Sequence, residues 1–247
     1  MQTLPDYPHH WQQSLQWQPT APLQEQFQHL YQEILRANQQ VNLTRITSPE
    51  DFWEKHLWDS LQGVAAWLPQ GQGPVPNRRL IDIGSGGGFP GLPVALVFPQ
   101  WSVTLLDGTR KKMVLLETLC QTLAISNTTL IAQRAEQVGH QPSHRETYDL
   151  ALLRAVGGVN TCAEYALPLL QVGGQAVLYR GQWSGAEASA LAAILPRLGG
   201  EMLEVRATTT PLTGSTRHNV VIAKVSPTPP QFPRSPGIPT KSPLGDG

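Results

Sequence analysis

Four glycines fall within five residues in the run Asp82-Ile-Gly84-Ser-Gly86-Gly-Gly88, directly behind the apolar segment Leu80–Ile83. Each such glycine costs backbone entropy of about 0.5–1 kcal/mol relative to alanine. A mere connector has no use for that expense, whereas a turn that needs positive φ and a close approach to a ligand does. The arrangement D-x-G-x-G-x-G between a strand and a helix therefore points to a doubly wound α/β core with a ligand at the loop.

The loop alone leaves nicotinamide, flavin and S-adenosylmethionine sites open, because Gly86-x-Gly88-x-x-Gly91 also matches the dinucleotide fingerprint in a shifted register. Register discriminates between them. Counted from Gly84, the glycine that closes the strand, the pattern runs G-S-G-G-G-F and lacks the last glycine of a dehydrogenase loop. Asp82, two residues before Gly84, instead suits a site that faces a cationic sulfonium.

Around this loop the chain alternates apolar strands and helical periodicity. Strands are expected at Leu80–Ile83, Ser102–Leu106, Thr129–Ala132, Tyr148–Leu153, Gln175–Tyr179, Met202–Thr208 and Asn219–Val225, with helices near 91–98, 111–124, 160–170 and 185–197. Single helices between strands imply right-handed crossovers and a mostly parallel sheet. The turn-rich link TPLTGSTR between the last two strands favours a closing hairpin. The expected fold is α/β, a Rossmann-like methyltransferase core with a seven-stranded sheet ending in an antiparallel pair.

Four regions follow. Residues 1–20, rich in Gln, Pro and His, are expected to be a weakly ordered lead-in. Residues 21–68 read as an N-terminal helical subdomain: one amphipathic helix through Phe27, Leu30, Tyr31 and Ile34, and a second that starts at Ser48-Pro49-Glu50-Asp51. After the Pro/Gly-rich connector 69–78 the core spans 79–225. The segment 226–247 holds seven prolines in 22 residues and is expected to be disordered.

Further candidates sit at the expected carboxyl edge of the sheet, where open α/β folds bind ligands. Asp107 ends the second strand about 20 residues past the loop, where a carboxylate can accept from both ribose hydroxyls. Arg134-Ala135-Glu136 follows the third strand, where such folds read an adenine. Arg154 follows the fourth. Asn42, Thr44, His56, Asp59 and Ser60 are polar residues in the N-terminal segment, read as a hydrogen-bonded network closing over the site, with Asn42 a positioning candidate beside Asp82 and Arg154.

With Asn42-Leu-Thr44, His56-Leu-Trp-Asp59-Ser60 and Gly88-Phe-Pro-Gly91-Leu-Pro93, these residues closely resemble the bacterial small-subunit ribosomal RNA methyltransferase G family, also called glucose-inhibited division protein B, over roughly residues 23–225. The resemblance implies methyl transfer from S-adenosylmethionine to N7 of a guanine in the 530-loop region of 16S ribosomal RNA, free or in the 30S subunit. It implies a cofactor site of Asp82, Gly84, Gly86, Gly88, Phe89, Asp107, Gly108, Thr109, Ala135, Glu136 and Arg154.

That chemistry needs no general base, since the guanine N7 lone pair lies in the ring plane and is unprotonated near neutral pH. The sequence offers no acid–base dyad or nucleophile motif. Lys plus Arg (18) equals Asp plus Glu (18), so attraction for RNA must come from local clustering. Arg110, Lys111, Lys112, Arg134, Arg180 and Arg217 are the candidates. Cys120 and Cys162 have no partner at metal-ligand spacing and read as buried thiols of a cytoplasmic, monomeric protein without a metal. The competing readings are a small-molecule methyltransferase, which would want a deep apolar acceptor pocket, a nicotinamide-dependent oxidoreductase, and a non-enzymatic RNA-binding module.

Overall fold

The computed structural model describes residues 2–69, 73 and 75–245; positions 70–72 and 74 of the Pro/Gly-rich connector, and 1, 246 and 247 at the chain ends, lie outside the described residues. Its centre is a single sheet built from β1 (Arg79–Ile83), β2 (Ser102–Leu106), β3 (Thr128–Ile131), β4 (Tyr148–Arg154), β5 (Leu170–Arg180), β6 (Gly200–Thr209) and β7 (Thr216–Lys224). The seven strands lie in the order β3-β2-β1-β4-β5-β7-β6. Strands β1 to β5 pair in parallel, and β7 is antiparallel to both β5 and β6, the expected terminal hairpin.

Strand alternation divides the side chains between two cores, as a sheet covered on both faces requires. Leu80, Leu150, Leu152 and Val177 join one apolar cluster, while Ile81, Ala151, Leu153 and Leu178 join the other. The first is covered by α5 (Gly91–Val97) and α6 (Arg110–Thr122), overlain by α2 (Ala21–Asn38) and by a helical arm of α3 (Pro49–Phe52), a π-helical turn Trp53–Trp58, and α4 (Asp59–Gln62). The second is covered by α7 (Ala135–Val138), α8 (Val159–Ala166) and α9 (Gly185–Leu198). Residues 21–68 thus bury their apolar side against the same core as α5 and α6. Among the described residues no helix is long and apolar enough to cross a membrane.

Local chemistry fixes the helical arm. Ser48 Oγ accepts from the Asp51 amide at 3.3 Å, as the capping sequence predicts, with Pro49 in the first turn. Buried Glu54 accepts from the Thr213 amide and hydroxyl at 3.0 and 2.7 Å, which ties the arm to the β6–β7 link. Gln62 and Asn219 exchange amide hydrogen bonds at 3.1 and 2.5 Å, tying it to β7.

Both chain ends depart from expectation. The lead-in folds into α1 (Pro8–Leu15), and Trp11 is wholly buried, 4.7 Å from the Trp53 ring and 5.8 Å from Trp17. Its low apolar content is concentrated in large rings, so Trp11, Leu15 and Trp17 bury enough surface to hold a short helix. The Pro-rich tail also packs, burying Phe232 and Leu244 in the second core and forming α10 (Ile238–Lys241). Prolines bring no amide donors that need partners, and core side chains satisfy the tail carbonyls: Arg145 donates to those of Thr228 and Phe232 at 2.7 and 2.8 Å, and Asn160 to that of Leu244 at 2.6 Å.

Beneath the glycine loop lies Asp82, fully buried at the end of β1. Its Oδ2 accepts from the Gly91 amide at 2.9 Å, so the carboxyl braces the start of α5 from below. A side chain at 91 would sit 2.2 Å from Leu105 and 2.7 Å from that oxygen, which is why glycine stands there. This corrects the sequence expectation that Asp82 faces the ligand. Burial pushes its carboxyl up to about 7, against the Gly91 hydrogen bond and the Arg154 charge that favour the ionised form.

Two predictions follow from this packing. Trp11→Ala is expected to lower the unfolding free energy by about 3–5 kcal/mol in urea titration, whereas a loose lead-in would leave it unchanged. A carboxyl raised to about 7 in the folded state stabilises fully below its unfolded value near 3.8, and that contribution is lost as pH rises through about 7. The stability of the native chain should therefore fall relative to Asp82→Asn between about pH 4 and 7, by a few kcal/mol. A constant difference across that range would refute the assignment.

Candidate functional site

At the carboxyl ends of β1, β2 and β4, where the strand order reverses about β1, the chain forms an open cleft of about 680 Å³. That is within the range of roughly 300–1,000 Å³ usual for small-molecule sites, and a switch point is where such folds bind ligands. The glycine loop forms its floor. Gly84 and Gly86 have φ of 76° and 56°, and both amides at the turn into the loop are held by β2: those of Gly84 and Ser85 donate to the Leu106 carbonyl at 2.7 and 3.0 Å. Ser85 Oγ in turn donates to the Asp82 carbonyl and accepts from the Leu106 amide. A side chain at Gly87 would approach the Leu43 carbonyl to 3.0 Å, so the N-terminal segment closes tightly on the loop.

Asp107 stands at the end of β2 with each carboxylate oxygen oriented by one amide: Gly86 to Oδ2 at 2.9 Å and Thr109 to Oδ1 at 2.7 Å. One acceptor position per oxygen is left for a ligand's vicinal hydroxyls. Two open acceptor positions on one carboxylate suit the paired hydroxyls of a ribose. Gly108, Gln133, Ala135 and Glu136 continue the lining past β3.

On the β4 side, Arg154 is committed to the protein. Its Nη1 donates to the Lys55 carbonyl at 2.7 Å and to Asp59 at 2.9 Å, and its Nη2 to His56 Nδ1 at 3.3 Å. A guanidinium can only donate, so His56 Nδ1 accepts and the ring is the neutral Nε2–H tautomer. Nε2 then donates to Thr44 Oγ1 at 2.7 Å, which also accepts from the Ile46 amide. Burial, reinforced by the Arg154 charge, lowers His56 to about 3. The ring stacks on Phe89 with centroids 4.1 Å apart and planes 8° from parallel. Directly after Arg154, Ala155 adopts φ 58° and lines the cavity, a strained non-glycine backbone at the sheet edge.

Of the residues singled out in sequence, Gly84, Gly86, Phe89, Asp107, Gly108, Ala135, Glu136 and Arg154 line the cavity, with Lys112 and Arg134 among the basic candidates. Asp82 and Gly88 are buried beneath it, and exposed Thr109 acts only through its amide on Asp107. Asn42 is exposed and stands outside the network, whose asparagine is instead Asn38, accepting from the amides of Leu43 and Thr44 at 2.8 and 3.0 Å. Glu136 is buried and its Oε1 already receives Arg134, Tyr165 and Gly237. Arg110 and Lys111 are exposed in the first turn of α6; Arg180 pairs with Glu187 at 2.8 Å and Arg217 approaches Asp59 at 3.7 Å. Tyr165, Gly237, Thr240 and Lys241 complete the wall. Composition pointed away from the last three, and no motif marks Tyr165.

Residues 23–218 match the model of the rRNA small subunit methyltransferase G family. The chain is 52% identical over 241 residues to a ribosomal RNA small subunit methyltransferase G of Nostoc punctiforme, covering 98% of both chains, and 49% identical over 235 residues to that of Synechococcus elongatus, covering 95% of this chain and 96% of the relative. Among solved structures, a 16S rRNA (adenine(1408)-N(1))-methyltransferase mutant from Catenulisporales acidiphilia superposes with a TM-score of 0.52 at 15% identity, over 62% of this chain and 87% of that one. The antibiotic-resistance methyltransferase Kmr superposes with a TM-score of 0.51 at 14% identity, over 61% and 88%. Such identities speak for the fold alone. Taken with the loop, the oriented Asp107 and the terminal hairpin, the match over nearly the whole length shows that the chain belongs to the rRNA small subunit methyltransferase G family, a family of S-adenosylmethionine-dependent methyltransferases.

Proposed function

We propose that this chain methylates N7 of a guanine in 16S ribosomal RNA, in the 530-loop region, working in the cytoplasm on the free RNA or the 30S subunit. The observation that carries the chemistry is the condition of the cavity's acceptor groups. Asp107 is held by two amides, Glu136 by three donors, and His56 is neutral with both ring nitrogens engaged. The two open positions of Asp107 are the ones a ribose would take, Glu136 is buried among its donors, and His56 has no free ring nitrogen, so none is offered to the methyl-accepting atom. An acceptor atom that must lose a proton before attack would find no base among them, whereas a guanine N7 attacks through a lone pair that is already bare.

S-adenosylmethionine supplies an electrophilic methyl on a sulfonium. The chain's own part is positioning and exclusion of water. The glycine loop brings backbone close to the ligand, Asp107 fixes the ribose, and the stacked pair Phe89–His56 gives a flat apolar wall that the Arg154 fork holds in place. Lys112 and Arg134 on the lining, with Arg110 and Lys111 on the adjoining turn, give phosphates a local positive edge in a chain of zero net charge. That edge favours RNA over a small-molecule acceptor, which would need an enclosed apolar pocket.

Incubation with tritiated S-adenosylmethionine and 16S RNA, free and in 30S particles, should place label at a guanine N7, read by cleavage at the methylated base. Transfer to free nucleosides without transfer to RNA would establish the small-molecule reading instead. Lys112→Ala is expected to weaken RNA binding for all sequences alike and to reduce the slope of log K against log salt by about one; an unchanged slope would remove Lys112 from the interface. Arg154→Met should raise the His56 titration seen by NMR above its value near 3, because a positive neighbour is lost. It should also weaken S-adenosylmethionine binding about tenfold as the Phe89–His56 wall loosens.

A further inference from the structure

The Pro-rich tail lies outside the stretch that matches the family model, yet it reaches the cofactor cavity. It leaves β7 with the amides of Val225 and Ser226 donating to the Gly199 carbonyl, then crosses toward α8. There Arg234 forks onto the fully buried Glu164, its Nη2 at 2.7 Å and Nε at 2.9 Å, and the Arg234 amide adds a third bond at 2.8 Å. His140 and Thr161 reach the carbonyls of Pro233 and Pro239 at 2.6 and 2.8 Å. A segment held at this many points has a defined course.

Two of its contacts fall on residues that line the cavity. The Gly237 amide donates to Glu136 Oε1 at 2.9 Å, and Thr240 Oγ1 lies 3.0 Å from the Tyr165 hydroxyl, which itself donates to Glu136. Glu136, the acid expected from sequence to accept from an adenine, spends its near oxygen on Arg134, Tyr165 and the tail. Beyond it, Gly237, Thr240 and Lys241 themselves line the cavity, and Thr240 and Lys241 are exposed there rather than packed away. The end of the pocket past β3, where Asp107 directs the nucleoside, is therefore walled by the tail.

We propose that Thr240 and Lys241 are cofactor-binding residues, carried by the tail to the adenosine end of the site, and that Glu136 acts as the tail's anchor and positions them. The Thr240 hydroxyl, which donates to Tyr165, can accept from an adenine amino group in place of the occupied Glu136 Oε1, and the Lys241 ammonium can donate to a ring nitrogen. This rests on the reading of the cavity as the S-adenosylmethionine site.

The test uses the full chain and two readouts other than turnover. Calorimetric titration with S-adenosylmethionine should show a dissociation constant raised about three- to tenfold by Thr240→Val with Lys241→Ala, the effect of one or two lost hydrogen bonds; Lys241→Ala alone, at an exposed side chain, should weaken binding with the unliganded melting temperature unchanged. Arg234→Gln, which releases the latch at Glu164, should weaken binding similarly and expose the tail to trypsin. In the unaltered chain, S-adenosylmethionine should slow trypsin cleavage after Arg234 and Lys241. Wild-type affinity in the double variant, with tail cleavage indifferent to the cofactor, would overturn the assignment while leaving the glycine-loop site intact. Failure of the unaltered chain to bind S-adenosylmethionine would instead overturn the reading of the cavity and this inference with it.

Discussion

Arg154 stands where the sheet edge meets the helical arm, and the geometry of the site depends on how its guanidinium is spent. A planar fork of donors at the end of β4 has no acceptor role, so each group around it must accept: the Lys55 carbonyl, the Asp59 carboxylate and the Nδ1 of His56. Those demands fix the tautomer of His56, and the fixed tautomer reaches Thr44 on the segment that presses Leu43 onto Gly87. Through one side chain the fourth strand, the helical arm and the glycine loop are held in register. The pair is only partly shielded, with side-chain exposures of 17% for Arg154 and 12% for Asp59, so its worth lies more in direction than in net Coulomb energy.

The same arithmetic of donors and acceptors separates what was legible in the sequence from what was not. The sheet was legible because a strand buried on both faces must be written in consecutive apolar residues, as in Tyr148-Asp-Leu-Ala-Leu-Leu153, and because helices and glycines punctuate it. Gly84, Gly86, Asp107 and Arg154 were legible because each sits at a strand end or within three residues past one, where direction follows from the strand. Orientation within a motif was not legible. Asp82 precedes the loop in sequence but turns under it, and the difference is set by the Gly91 amide, nine residues away. Asn42 and Asn38 are alike in type, and only the chain's return at Leu43 decides that Asn38 supplies the acceptor.

Composition misled at both ends for a shared physical reason. Average hydropathy counts residues equally, while burial depends on area, and Trp11 and Trp17 bury as much as several smaller side chains. In the tail, proline density by itself predicts an absence of structure. What disorder requires is too little buried surface to offset chain entropy. Phe232, Pro239 and Leu244 supply that surface here, and Arg145, Arg234 and Asn160 tie the segment at its charged and carbonyl groups.

The two solved structures of similar fold named above cover about three fifths of this chain, and the parallel sheet edge that carries the glycine loop and Asp107 is a scaffold that many chemistries use. What makes this cavity particular comes from outside that scaffold: Leu43 and His56 from before β1 on one side, Gly237, Thr240 and Lys241 from after β7 on the other. Both additions are held by side chains of the core, Arg154 for the first and Glu136 with Glu164 for the second. A buried acid that receives three donors is costly to leave with fewer, since each lost donor strands charge away from water. Displacing either addition therefore leaves an unpaired group inside the core, which is why a loop near the N-terminus and a proline-rich tail can serve as fixed walls of a binding site.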